Sequence, residues 1–124
     1  GVLDPAWATL MEDLRERGLL ESTLIVWMGE FGRTPTINAR AGRAHFPVAW
    51  TPALAGGGIR GGQVYGRTSD DGMSVADNPV TTADILATIC TALGIDPLGQ
   101  NMSNVGRPIR IVDPEAKPIR EVLA

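Results

Sequence analysis

The chain is poor in the residues that most often announce a mechanism. Its 124 residues include one cysteine (Cys90), one histidine (His45) and one tyrosine, with aromatics at only 5%. A lone cysteine excludes an internal disulfide framework and leaves the redox compartment undecided. Catalytic zinc normally takes three protein ligands, and one histidine with no metal-spaced cysteines does not supply them by spacing alone. No apolar run approaches the ~20 residues needed to cross a bilayer, so no membrane span is expected. A net charge of −3 and a pI near 5.0 give no support to nucleic-acid binding. No Gly-x-Ser-x-Gly elbow is present. The run Gly56-Gly57-Gly58-Ile59-Arg60-Gly61-Gly62 lacks the Lys-Ser or Lys-Thr of a phosphate cradle, and a turn rather than a helix is expected after it. It reads as a tight turn after a buried strand.

What is there is ordinary for a globular protein, with 44% hydrophobic and 20% charged residues, and the length fits one domain with a core. The chain opens on Gly1 rather than Met, in the run Gly-Val-Leu-Asp-Pro, which predicts a fragment joined to something upstream. Asp4 before Pro5 is a helix start. Trp7, Leu10, Met11 and Leu14 follow at i, i+3, i+4 and i+7, one apolar stripe, and Gly18 is the expected left-handed stop. Thr23 to Met28 are apolar on consecutive positions, which predicts a strand covered on both faces, as in a parallel sheet. Helix then strand is half of a βαβ unit and again calls for a strand before Gly1.

Val48 to Gly58 form a second apolar segment, with Pro47 and Pro52 limiting any strand at its start. Arg67 to Asn78 predict a surface loop or hairpin. The clearest helix begins at Thr81 or Thr82, where Thr81 and Asp84 have capping-box spacing. Its apolar face is predicted on Leu86, Ile89, Cys90 and Leu93, ending at Gly94, with Cys90 a small core residue rather than a reactive thiol. Beyond Ile95 the prolines at 97, 108, 114 and 118 predict a tail packed across the surface, with at most a short strand.

The candidate chemistry sits between residues 23 and 47. Gly29 to Arg43 hold three glycines, one proline and four charged residues. A loop of roughly 15 residues is long for a plain connector and raises the expectation of function. It leaves the carboxyl end of a strand and leads to His45, a favoured place for a site in an open α/β sheet. Glu30 and His45 are candidate metal ligands; hard divalent cations and zinc both accept such donors. Arg33 and Arg43 flank the loop and suit bidentate binding of a phosphate or sulfate. Each has a plainer reading beside it: a solvated histidine, and arginines tying the loop to backbone carbonyls.

Four stretches together carry a resemblance. They are Thr23-Leu-Ile-Val-Trp-Met-Gly-Glu-Phe-Gly-Arg-Thr-Pro35, Gly42-Arg-Ala-His-Phe-Pro47, Leu54-Ala-Gly-Gly-Gly-Ile-Arg-Gly-Gly62 and Asn101-Met-Ser-Asn-Val-Gly-Arg-Pro108. The chain resembles the bacterial domain-of-unknown-function family 1501, itself similar to sulfatases within the alkaline phosphatase superfamily. The resemblance covers nearly the whole chain but only the carboxyl-terminal portion of the family's domain, residues 1–124. It implies an α/β, three-layer, mostly parallel sheet with helices on both faces, incomplete here. It also implies a divalent metal ion (zinc, calcium or magnesium) on Glu30 and His45, and metal-assisted hydrolysis of a small anionic phosphate or sulfate ester. The helix Asp84-Ile-Leu-Ala-Thr-Ile89 falls in place as well. The nucleophile and first ligands would then lie in an amino-terminal part of the same protein, and the fragment alone would be inactive. Secretion to the periplasm or beyond is common for proteins of this kind. One departure stands out: the family pattern Gly-Arg-Asp-His-Trp is Gly-Arg-Ala-His-Phe here, and Ala44 can ligate nothing. That departure motivates a second expectation, a non-catalytic binding or surface-associated protein that keeps the fold with a degraded site.

Overall fold

The first helix, α1 (Leu3–Glu16), begins two residues earlier than its capping signal suggested. Val2 takes the cap position without a side-chain bond, and Asp4 lies in the first turn, where its charge complements the helix dipole. Pro5 is tolerated there because its missing N–H has no helical partner to lose. The stop is as expected. Gly18 has φ +67°, its N–H donates to the Arg15 carbonyl at 3.0 Å, and the Leu19 N–H donates to the Leu14 carbonyl at 2.8 Å. That pair of bonds is a Schellman closure. A 3-10 turn at Leu20–Ser22 then delivers the chain to β1 (Leu24–Trp27).

The computed structural model, which describes all of residues 1–124, overturns the predicted sheet. Every sheet has two strands, and every pair is antiparallel. β1 pairs with β4 (Ala53–Gly56) in the register Leu24↔Gly56 to Trp27↔Ala53. The short strands β2 (Gly32–Arg33) and β3 (His45–Phe46) pair within the connection between them. There is no three-layer parallel sheet. A parallel neighbour needs a crossover of a dozen or more residues, usually helical. The segment between β1 and β4 carries Pro35, Pro47, Pro52 and three glycines, so it cannot form that helix and doubles back instead. The apolar run in β1 reflected composition rather than burial on both faces: Leu24 and Ile25 are half-buried, Val26 and Trp27 exposed. Helix α1 meets this sheet through Trp7, whose ring stands edge-on to Trp27 at 6.2 Å.

β5 (Arg67–Thr68) and β6 (Val75–Asp77) form the expected hairpin. Its tip is held by Asp71, whose Oδ1 accepts from the Ser69 hydroxyl at 2.6 Å and the Met73 N–H at 3.0 Å. Helix α2 (Thr82–Ala92) starts at the predicted capping box. The Thr81 hydroxyl accepts the Asp84 N–H at 3.1 Å, and Asp84 Oδ2 accepts the Thr81 N–H at 2.9 Å. Its inward face differs from expectation: Ile85, Ala87 and Thr88 are buried, whereas Leu86 and Leu93 are exposed. With Val112 and Ile119 from the tail, these three make up most of the core. The tail also contains an unexpected hairpin, β7 (Gln100–Met102) with β8 (Pro108–Arg110).

The last residues fasten this tail to the middle of the chain. Ile119 N–H donates to the Thr88 hydroxyl at 2.9 Å. Arg60 N–H donates to the Val122 carbonyl at 2.9 Å, and Ala124 N–H to the Gly58 carbonyl at 3.1 Å. Gln63 Nε2 reaches the Glu121 carbonyl at 2.9 Å. Even so, the molecule is open. Its accessible surface is 8979 Å², whereas a compact monomer of 13.1 kDa exposes about 6,400 Å². No helix is long and apolar enough to cross a membrane.

Candidate functional site

The corner between β1 and β3 is built from backbone economy. After Trp27 the chain bends through Met28 to Phe31, and Gly32 then enters β2 as the one buried residue of the loop. A Cβ at Gly32 would collide with the Ala49 carbonyl oxygen and lie 2.8 Å from that of Phe46. Only glycine lets β2 lie this close to the returning chain. In β2–β3, Gly32 faces Phe46 and Arg33 faces His45. The ladder continues one step further, with Thr34 N–H donating to the Ala44 carbonyl at 3.1 Å.

Directly opposed residues in an antiparallel pair share a face, as do residues two apart along a strand. Arg33, His45 and Phe31 therefore meet on one side of the hairpin. The His45 and Phe31 rings are 4.1 Å apart between centroids and tilted by 38°. The Arg33 guanidinium lies over the same Phe31 ring at 5.3 Å, a cation–π arrangement. His45 and Arg33 are both exposed, and neither ring nitrogen of His45 has a hydrogen-bond partner. Arg33 spends only one long bond, from Nη1 to the Arg43 carbonyl at 3.4 Å. The rest of its fork stays available for a planar anion.

Arg43 is used differently. Its Nη1 donates to the Thr34 carbonyl at 2.7 Å and to the Pro35 carbonyl, binding the two sides of the loop together. Ala44 contributes only main chain; its N–H donates to the Thr34 hydroxyl at 3.1 Å. The tip is a tight turn around Asn38, whose Oδ1 accepts from Arg40 N–H at 2.9 Å and Gly42 N–H at 3.2 Å. Ala41 sits there with φ +55°, a left-handed conformation that alanine adopts at a cost.

Glu30 is exposed and makes no hydrogen bond or ion pair through its carboxylate. It precedes the Phe31 ring that carries His45. No three histidine, cysteine, aspartate or glutamate side chains stand close enough together to hold a metal ion. Neither Glu30 nor His45 belongs to such a group within these residues.

Two residues that sequence reasoning passed over belong to this corner. Phe31 is the shelf under both His45 and Arg33, and its place two residues before Arg33 was the available signal. Trp50, packed behind Gly32, has an indole N–H that is buried and donates to nothing. A buried donor without an acceptor is uncommon, and no sequence pattern announces one.

A family model described as "Protein of unknown function (DUF1501)" matches residues 1–123. No curated protein and no solved structure matches the chain.

Proposed function

The chain belongs to the DUF1501 family, and on that footing we propose that it forms part of a metal-dependent, sulfatase-like hydrolase of phosphate or sulfate esters. The observation that carries this reading is the pairing of Arg33 with His45 on one exposed face of β2–β3, above Phe31. A guanidinium fork beside an imidazole suits a doubly charged tetrahedral oxyanion better than a neutral ligand.

In this reading Arg33 grips the nonreacting ester oxygens and fixes the substrate's orientation. Arg43 keeps the loop closed so that Arg33 and His45 stay opposed, with its remaining guanidinium nitrogens facing the same anion. Glu30 and His45 would hold one side of a divalent cation, zinc, calcium or magnesium. Such a cation polarises the ester and stabilises the leaving oxygen when bound. These two donors do not complete its coordination, so the other ligands and the nucleophile are assigned to residues outside 1–124.

Ala44 favours a second reading, a binding protein that kept the corner and lost the reaction. At the place of the family's aspartate this chain offers only backbone hydrogen bonds. Metal analysis and hydrolysis of p-nitrophenyl phosphate and sulfate by the parent protein separate the two. Stoichiometric metal that disappears with His45→Ala, together with turnover lost in Arg33→Ala, supports the hydrolase. Absence of metal and turnover from the intact protein supports the binding role. Residues 1–124 alone are expected to turn over neither ester.

A further inference from the structure

The corner loop and the β5–β6 hairpin lie far apart in sequence and meet at Pro35 and Gly72. Gly72 has φ +69°, and a Cβ there would stand 3.0 Å from Pro35 Cγ and 3.5 Å from Pro35 Cβ. The pyrrolidine ring therefore fills the space that any side chain at Gly72 would need. Ser69 and Gly72 are the half-buried residues of a hairpin tip that is otherwise exposed.

That tip is a stiff partner. Ser69 N–H donates to the Ser74 carbonyl at 2.9 Å, and Ser74 N–H returns to the Ser69 hydroxyl at 3.1 Å. Gly72 N–H donates to the Ser69 carbonyl at 2.8 Å, and Asp71 ties the same turn from within. The loop it meets has less of its own support. β2 and β3 are two residues each, and a two-stranded ribbon is marginal by itself. Past Thr34 the Arg43 guanidinium spans the loop, gripping the Thr34 and Pro35 carbonyls.

We propose that the hairpin tip is the outer buttress of the corner, and that Gly72 is a positioning residue for Arg33 and His45. The path between them is short and mostly covalent. The Pro35 ring closes on its own backbone nitrogen, in the peptide plane of the Thr34 carbonyl. It cannot shift without moving both carbonyls that hold Arg43. Thr34 and Ala44 form the next rung of the ladder after Arg33 and His45. A displaced Pro35 thus changes the spacing of guanidinium and imidazole above Phe31. Glycine alone allows both the left-handed turn and the close seat on the ring. These contacts lie wholly within residues 1–124, whatever adjoins them in the intact protein. The consequence for catalysis rests on the oxyanion reading of Arg33 and His45, a clamp whose groups must be held to about 0.5 Å.

Proton spectra of the His45 imidazole in residues 1–124 test the buttress, because the Phe31 ring at 4.1 Å makes them sensitive to the corner's geometry. Gly72→Ala sets a methyl against Pro35 and should shift the His45 resonances. Gly66→Ala is the matched control. Gly66 has φ +81°, and its methyl would meet the Asp77 and Asn78 carbonyls at 3.1 Å, away from Pro35. It should leave His45 in place. Gly72→Ala combined with Pro35→Ala removes the ring atom at 3.0 Å and should return His45 to its position in Pro35→Ala alone. Amide protection in α2 checks that each variant is folded. Should Gly72→Ala fail that check, Ser69→Ala loosens the tip without added bulk and should also shift His45. A His45 unmoved by the tip variant, equal shifts from Gly66→Ala and Gly72→Ala, or a double variant without rescue would overturn the proposal. Inorganic phosphate added to the wild type tests the oxyanion reading separately: a silent His45 there counts against anion binding, not against the contact.

Discussion

Asp84 Oδ1 accepts the backbone N–H of Lys117 at 2.7 Å, joining the first turn of α2 to a segment 33 positions along the chain. The same carboxylate takes the Thr81 N–H and hydroxyl on its other oxygen, at 2.9 and 2.7 Å. One side chain therefore caps the helix and anchors the tail. Partial burial pushes its pKa up, but the Lys117 and Thr81 bonds, with the Lys117 charge, outweigh this and hold it below the ordinary 3.8.

Asp84→Ala is expected to destabilise the fold by about 1.5–3 kcal/mol at neutral pH, the range for lost hydrogen bonds to a charged group. Thr81→Ala should cost less, about 1 kcal/mol, as a lost cap. Because the folded pKa lies below the unfolded one, the Asp84 contribution is fully present above 3.8 and is lost as pH falls through the folded value. In urea melts, the difference between wild type and Asp84→Asn should therefore be smaller at pH 3 than at pH 7.

Gly32→Ala should break the corner locally, because the added methyl meets the Ala49 and Phe46 carbonyls. Overpacking of this kind costs about 1–3 kcal/mol. The imidazole proton resonances of His45, shifted by the Phe31 ring at 4.1 Å, should return to unstacked positions while α2 keeps its amide protection.

Ala41→Gly should do the reverse. Relief of a left-handed alanine, less the added freedom of the unfolded glycine, leaves a gain of about 0.5–1 kcal/mol. A higher urea midpoint with an unchanged slope is the expected readout.

Asp71 is held below the ordinary carboxyl value chiefly by the Ser69 hydroxyl, with help from the Met73 N–H. Its carboxyl carbon should titrate below 3.8 by nuclear magnetic resonance, and Ser69→Ala should move the midpoint upward. Both groups are exposed or nearly so, so the effect belongs to titration rather than to stability.

The parts that could be read in the sequence were those with a local cause. Gly18 and the Thr81–Asp84 box act within one helical turn, and both ends formed as their residues dictated. Strand direction was not local: the run at Leu24 to Trp27 is apolar enough for a parallel sheet, and only the proline- and glycine-broken return to Ala53 decided against it. The inward face of α2 was hidden for a related reason. Its partner is a thin tail bonded through the Thr88 hydroxyl, so small and polar residues face inward while Leu86 and Leu93 stay out. At the corner, residue types marked Arg33 and His45, and β-pairing then set them opposite each other. Nothing in the sequence placed Glu30 relative to them.

The fastening of the tail has a consequence for biosynthesis. Residues 117–124 supply the bonds to Asp84, Thr88, Gly58 and Arg60, and Ile119 supplies part of the core. A nascent chain can form α1, β1–β4 and the corner hairpin while the ribosome is still translating. It cannot lock α2 against the middle segment until those eight residues have left the exit tunnel. Chains stalled short of Lys117 would present an unlatched α2 to chaperones and proteases, even though every residue named at the corner had already been made.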